Sequence, residues 1–208
     1  MAEYLKVRPD NPEPRSIKRA AEVLREGGII IYPTDSTYAI GCQIGNKRSL
    51  ERIRALRRLG QKHAFTLMCA DLSELSNYAL VSNVAYRILK SHTPGPFTFL
   101  LKATPEVPRR LQHPKRKTIG LRIPESNILQ SLILSNGEPI MSTSLILAEQ
   151  TVALSDPRDF PTKLKSLVDL IIDGGVCGQQ PTTVIDFTGN SPELVRAGCG
   201  ASPLFKQY

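Results

Sequence analysis

Tyr32-Pro-Thr-Asp-Ser-Thr-Tyr-Ala-Ile-Gly-Cys42 is the stretch whose reading decides the fold. It follows Gly28-Ile29-Ile30-Ile31, a β-branched run bounded by Gly27 and Gly28. A buried strand over residues 29–32 therefore ends abruptly in a segment dense with hydroxyls, a carboxylate and a phenol. Pro33 cannot donate to a ladder, so the strand is expected to open into a loop there. Five polar side chains from Thr34 to Tyr38 would then sit at the carboxyl end of a strand, where open α/β sheets hold their ligands. Asp35 and Ser36 also suit a plain polar turn. The Thr-Asp-Ser-Thr-Tyr density exceeds what a turn requires and favours a ligand loop.

Outward from this loop, helical and extended patterns alternate. Ser16 can cap a helix in which Ile17, Ala20, Ala21 and Leu24 repeat at helical spacing, with Gly27 as its stop. The spacing predicts a helix over 49–58, a buried strand over 64–69, a short helix over 71–77 and a helix capped by Ser82 running to 90. Thr93-Pro-Gly-Pro-Phe97 is a rigid turn into a strand over 98–102. A strand over 118–123 is stopped by Pro124, and a helix over 126–134 is ended by Asn136-Gly137. Pro139-Ile-Met-Ser-Thr-Ser144 is a second hydroxyl-rich strand end. Residues 147–161 lose periodicity and read as a long surface connection, able to close over a pocket as a lid. Strands over 168–174, 183–187 and 194–196 complete the series. With no repeat, low-complexity tract or linker, the pattern predicts one α/β domain over residues 1–208, a twisted mixed sheet with packed helices.

The chain has 208 residues, 41% apolar and 22% charged, ordinary values for a globular protein with a full core. No apolar run approaches a membrane span, and Met1-Ala-Glu-Tyr-Leu-Lys6 lacks the apolar centre of a secretory signal. Cys42, Cys69, Cys177 and Cys199 form no Cys-x-x-Cys pair and read as reduced thiols of a cytoplasmic protein. His63, His92 and His113 lack helical pairing, so no metal site is expected. The formal net charge is +8, and the cations are bunched. One cluster holds Lys47, Arg48, Arg52, Arg54, Arg57, Arg58 and Lys62; the other holds Arg109, Arg110, Lys115, Arg116 and Lys117. On a helix Arg54, Arg57 and Arg58 fall on one face, with Leu50, Ile53 and Leu56 towards the core. A solvated face explains such a run as well as a polyanionic partner does. Aromatics do not interleave the clusters, so backbone contact with structured RNA suits them better than base stacking.

Hydroxyls cluster at three strand ends: Thr34/Ser36/Thr37, Ser142/Thr143/Ser144 and Thr182/Thr183. Single arginines, Arg122 and Arg196, sit on strands near them. Arg122 in Ile119-Gly-Leu-Arg-Ile123 is costly to bury unpaired, so it needs an acid or an anionic ligand. Asp173 and Asp186 are candidate acids; with the hydroxyl clusters added, an anion pocket is the better account. Walker A, Gly-x-Gly-x-x-Gly and Gly-x-Ser-x-Gly motifs are all absent, so nucleotide binding would rest on residues gathered by tertiary structure.

Tyr32-Pro-Thr-Asp-Ser-Thr-Tyr-Ala-Ile-Gly41 resembles the signature of YrdC-like proteins. Pro94-Gly-Pro-Phe-Thr98, Gly120-Leu-Arg-Ile-Pro124, Met141-Ser-Thr-Ser144 and Pro181-Thr-Thr-Val184 agree in order and spacing. Phe65-Thr-Leu-Met-Cys69, Glu106-Val-Pro-Arg-Arg-Leu111 and Lys115-Arg-Lys-Thr-Ile-Gly120 resemble the YciO branch. The resemblance implies a twisted α/β sheet with a large concave, positively charged face. It implies L-threonylcarbamoyladenylate synthesis from L-threonine, bicarbonate and ATP with Mg²⁺, serving tRNA modification, and binding of double-stranded RNA or tRNA. Carried over by position, Ser36, Arg122 and Thr182 would hold the amino acid. Arg57, His63, Thr118, Ser142, Ser144 and Arg196 would hold the nucleotide and its phosphates. Arg54, Arg58, Lys62, Arg109, Arg110, Lys115, Arg116 and Lys117 are the RNA candidates.

The chain departs from that pattern. The synthases carry Lys-x-Arg on the basic helix and Ser-x-Asn on the later strand; here Arg57-Arg58-Leu59 and Ser144-Leu145-Ile146 stand there. Met68 stands where the family often has histidine. Losing a guanidinium and an amide removes charge-assisted binding from a triphosphate site. Two readings follow: synthase-type chemistry weakened or redirected, and a structured-RNA-binding module without turnover.

Overall fold

Helix α1 (Pro14–Arg25) sets the first buried face, with Ile17, Ala20, Ala21, Val23 and Leu24 all inside. Its start lies earlier than the Ser16 cap because Pro14 occupies the first turn, where a missing N–H costs nothing. The computed structural model describes residues 1–60, 63–148 and 150–201. Strand β1 (Glu3–Lys6) precedes α1, and β2 (Ile30–Pro33) follows it. β2 does not open into a long loop: β3 (Tyr38–Gln43) returns antiparallel to it, pairing Pro33 with Tyr38. The ligand stretch is thus narrowed to the turn 34–37.

Next come α2 (Lys47–Arg57), capped by the Asn46 side chain on Ser49 N at 3.0 Å, and β4 (Thr66–Met68). Then follow α3 (Leu72–Tyr78), β5 (Ala79–Leu80), α4 (Asn83–His92), β6 (Phe97–Ala103) and β7 (Thr118–Arg122). The Ser82 side chain caps α4 as the sequence suggests, and the Asp71 side chain caps α3 from just before its first turn. α5 (Asn127–Asn136) ends on Gly137 at φ 81°, a left-handed position that glycine takes without strain. β8 (Ile140–Ser144), α6 (Leu164–Leu167), β9 (Leu170–Asp173), β10 (Thr183–Asp186) and β11 (Glu193–Arg196) complete the described chain.

All the strands join one mixed sheet in the order β1-β9-β2-β3-β8-β4-β7-β6-β10-β11, with β5 added beside β6. Alternation along β2 splits its side chains between two cores. Ile29 and Ile31 join Ile53 of α2, Leu75 of α3, Leu89 of α4 and Phe99 and Leu121 of the sheet on one face. Ile30 and Tyr32 join α1 and α5 on the other, with Ile140, Leu170 and Ile172. The second face is covered where α1 and α5 lie over β9, β2 and β8. Over β4, β7, β6 and β10 the inward positions line a cavity instead, and that asymmetry positions the site. Residues 147–161 are partly anchored, since Phe160 is buried and Leu154 N donates to Leu145 O. Among the described residues, no helix is long and apolar enough to cross a membrane.

Candidate functional site

The cavity holds about 520 Å³ and is walled by strand ends that are far apart in sequence. Gly120 forms part of its floor; a Cβ there would come within 3.0 Å of Thr66 Oγ1 and 3.5 Å of Thr98 Cγ2. At one side stands the turn 34–37. Thr34 Oγ1 donates to Thr37 O at 2.6 Å and accepts from Ser36 N at 3.1 Å and Thr37 N at 3.2 Å. Ser36 Oγ lies 3.0 Å from the same oxygen, so these hydroxyls are spent on the turn itself.

The turn presents Asp35, whose carboxylate accepts from the Arg122 guanidinium and from Glu125 N at 2.9 Å. Arg122 is only 4% exposed. Burial lowers its pKa and the Asp35 charge works against that fall. The expected alternatives for its acid, Asp173 and Asp186, are used elsewhere: Asp173 accepts from Tyr4 OH and Asp186 lies 3.8 Å from Arg116. Arg122 Nε is buried with no hydrogen-bond partner, although the side chain lines the cavity. An orphaned guanidinium N–H at a cavity wall is a donor waiting for an anion.

Two more guanidiniums reach the wall. Arg57 Nε donates to Ile146 O at 2.8 Å, and its NH1 donates to Thr143 Oγ1. Arg196 donates through Nε and NH2 to Thr182 O at 3.0 and 2.9 Å, and through NH2 to Thr182 Oγ1 at 3.2 Å. Among the described residues neither has a carboxylate partner, and burial lowers the pKa of both. Positive charge with no acid beside it, half out of water, suits phosphate or carboxylate oxygens.

His63 Nε2 lies 3.0 Å from Thr143 Oγ1. Because Arg57 donates to that oxygen, the Thr143 proton is free for the imidazole, which then carries its own proton on Nδ1. Burial first, then the Arg57 and Arg54 charges, push the His63 pKa from 6.5 down to about 4. The unfolded chain therefore takes up the proton before the folded one does. Stability contributed by neutral His63 is full above pH 6.5 and is lost as the pH falls towards 4. Urea unfolding across that range should give a falling midpoint, and His63→Gln should flatten this limb; an equal slope in the variant would contradict the assignment.

The structure thus brings Arg57, His63, Arg122, Ser144, Thr182 and Arg196 to one cavity, and leaves three expected residues off its wall. Ser36 is tied into the turn. Ser142 is fully buried and accepts from Tyr32 OH at 2.7 Å, sealed under that ring. Thr118 is buried at the start of β7, beside Lys102, two positions beyond the floor residue Gly120. Tyr38, counted with the loop, points into the first core and donates to Gly175 O at 2.8 Å. Of the two residues that depart from the synthase pattern, Leu59 packs against the first core, while Ile146 lines the cavity. Thr143, named in the second hydroxyl cluster, does line the wall; Thr98 and Met68 on the wall, and Asp35 as the partner of Arg122, were not foreseen.

The RNA candidates spread differently from one helix face. Arg54 donates to Gly60 O at 2.7 Å and lies over the Phe65 ring at 5.0 Å. Arg58 is the C-cap of α2, in the left-handed region at φ 49°. Arg52 pairs with Asp169 at 2.8 Å. Arg109 and Arg110 are exposed on the β6–β7 connection, where Arg110 NH2 comes to 3.8 Å from a Cβ built on Gly45. The two basic clusters therefore meet beside the exposed Lys47 and Arg48. Lys115, Arg116 and Lys117 are exposed on the same connection, and Lys62 lies outside the described residues.

The profile of a family described as Sua5_yciO_yrdC, telomere recombination, matches residues 22–198. YciO of Escherichia coli K12 is 53% identical over 200 residues, covering 96% of this chain and 97% of that protein. Its crystal structure superposes with a TM-score of 0.93 over 97% of this chain and 98% of that one. A threonylcarbamoyl-AMP synthase of Nitrosococcus oceani is 33% identical over 129 residues, 62% of this chain and 69% of the synthase. P. abyssi Sua5 complexed with L-threonine gives a TM-score of 0.87 at 26% identity, covering 94% of this chain and 57% of Sua5.

Proposed function

The chain belongs to the Sua5/YciO/YrdC family, and from that premise we propose that its cavity binds a nucleotide with a small amino acid and runs L-threonylcarbamoyladenylate synthase-type chemistry at a reduced rate. The observation that carries this reading is the set of three arginines lining one cavity: Arg57 and Arg196 with no acid beside them among the described residues, and Arg122 with an unpartnered Nε. The synthase among the relatives and the threonine-bound neighbour support it. The amino group and bicarbonate give a carbamate with loss of water, and a carbamate oxygen attacks the α-phosphorus of ATP and expels pyrophosphate. Little covalent work falls to the protein, so positioning dominates. Arg122 Nε holds the carboxylate, while Arg57, Arg196 and the unengaged Ser144 hydroxyl offset charge on phosphate oxygens.

The cavity offers Mg²⁺ no ligand set of its own. Its nearest carboxylate, Asp35, is held by Arg122 and Glu125 N, and among the described residues no three acids, histidines or cysteines gather for a metal. Any Mg²⁺ arrives on the phosphates of ATP. The rate is reduced because Ile146 presents a hydrocarbon where an amide would meet phosphate. Purified protein given ATP, bicarbonate and L-threonine, or an equally small amino acid, should release pyrophosphate. Arg196→Ala should cut the release about tenfold or more; equal release from both proteins would refute the role.

A second reading, binding of double-stranded RNA or tRNA, is favoured by the meeting of the basic clusters at Gly45 and Arg110. Affinity for duplex RNA should fall steeply with salt, since each phosphate neutralised releases a counterion. Arg109→Glu with Arg110→Glu should weaken RNA binding about tenfold or more and leave nucleotide binding unchanged. A flat salt dependence would remove the reading.

A further inference from the structure

We infer that the amino-acid end of the cavity selects an aliphatic side chain of valine size and disfavours the hydroxyl of threonine, with Met68 as the residue that decides. This rests on the proposed amino-acid site and specifies its substrate class. Arg122 sits between two strands. Met68 of β4 pairs with it in parallel register, so the two side chains leave the sheet on the same face. On the other flank Phe99 pairs with Leu121, which sets Thr98 of β6 opposite Arg122. A carboxylate held by Arg122 Nε therefore has Thr98 on one side and Met68 on the other.

The hydroxyls near Arg122 are already committed. Thr98 Oγ1 lies 2.8 Å from Thr182 Oγ1, which takes a hydrogen bond from Arg196 NH2 at 3.2 Å. Arg196 donating into Thr182 sends the Thr182 proton to Thr98 and leaves the Thr98 proton for a carboxylate oxygen. Thr34 Oγ1 is used inside its turn, and Ser36 does not reach the wall. The remaining neighbour, Met68, is 3% exposed and offers a polarisable thioether with no donor. Thr66, the nearest unengaged hydroxyl on that face, is two residues back along β4, roughly 7 Å away.

A methyl against Met68 is buried at no polar cost, whereas a hydroxyl there loses water and gains no partner. Valine and threonine differ by that one exchange. Calorimetric titration of the full chain should give L-valine tighter than L-threonine by about tenfold or more. Met68→Gln, which offers an amide, should shrink or invert the ratio, and Met68→Leu should preserve it. Threonine binding as tightly as valine, or a ratio unmoved by Met68→Gln, would overturn the selectivity and leave the amino-acid site standing. If neither amino acid bound at millimolar concentration, the amino-acid site itself would fall, and the selectivity with it.

Discussion

Asp35→Ala should destabilise the protein by about 3–5 kcal/mol, because it leaves a guanidinium buried without its counter-charge. Both side chains of the pair are almost out of water, at 5% for Arg122 and 9% for Asp35. With Nε already unpartnered, Arg122 has no second acid beside it among the described residues, and Glu125 N loses its acceptor as well. The loss is much larger than exposed pairs such as Arg8–Glu13 could produce, since water screens those and their median worth is small. Asp35→Asn keeps an acceptor in place and should lose less. Combining Asp35→Ala with Arg122→Met removes the charge too, and should recover much of the stability while abolishing carboxylate binding. Urea unfolding of the variants reads these differences directly. An Asp35→Ala protein within about 1 kcal/mol of the parent would mean that water or another group already neutralises Arg122.

How much of this could be read beforehand depends on where each constraint originates. Helices α1, α2, α4 and α5 were legible because their apolar spacing is local, and Ser82 marked the start of α4; the starts of α1 and α2 lie before the residues the pattern offered. β1 was not: Glu3-Tyr-Leu-Lys6 carries no strand pattern and is held by pairing with β9 from the far part of the chain. β3 was hidden because Tyr38-Ala-Ile-Gly-Cys42 is buried on both faces, which erases period-two alternation, and because its polar prelude reads as a loop. The site shows the same division. Arginine and hydroxyl types at strand ends pointed to an anion cavity, and three arginines do meet there. Which hydroxyls face it depends on contacts across the strands and on turn closure, which local spacing does not show. Thr98 and Ser144 lie on the cavity side of the sheet, and Thr143 reaches the wall beside Arg57 and His63 although its neighbours Met141 and Leu145 belong to the first core. Ser142 goes beneath Tyr32 and Ser36 into the Thr34 turn. The Asp35 partnership lay furthest from reach, since it joins a turn to a strand 87 residues away.

Ile146→Asn should raise nucleotide affinity about 10–100-fold, the range expected when a neutral side chain gains a hydrogen bond to a charged group. Residue 146 lines the cavity next to Arg57, and its carbonyl already accepts from Arg57 Nε at 2.8 Å. The backbone there is therefore fixed, and an amide side chain would enter the wall without moving the arginine. Leu59→Arg, the other change towards the synthase pattern, should do little alone. Arg58 leaves the helix in a left-handed conformation, Leu59 N closes onto Arg54 O at 2.9 Å, and the Leu59 side chain packs on the first core. An arginine there gives up that packing and starts from a direction that does not lead to the cavity. Its expected effect is a stability loss of about 1–2 kcal/mol with nucleotide affinity unchanged. Titrating both single variants and their combination with a non-hydrolysable ATP analogue separates the two positions. Gain from Leu59→Arg equal to that from Ile146→Asn would mean that the end of α2 rearranges to reach the phosphates.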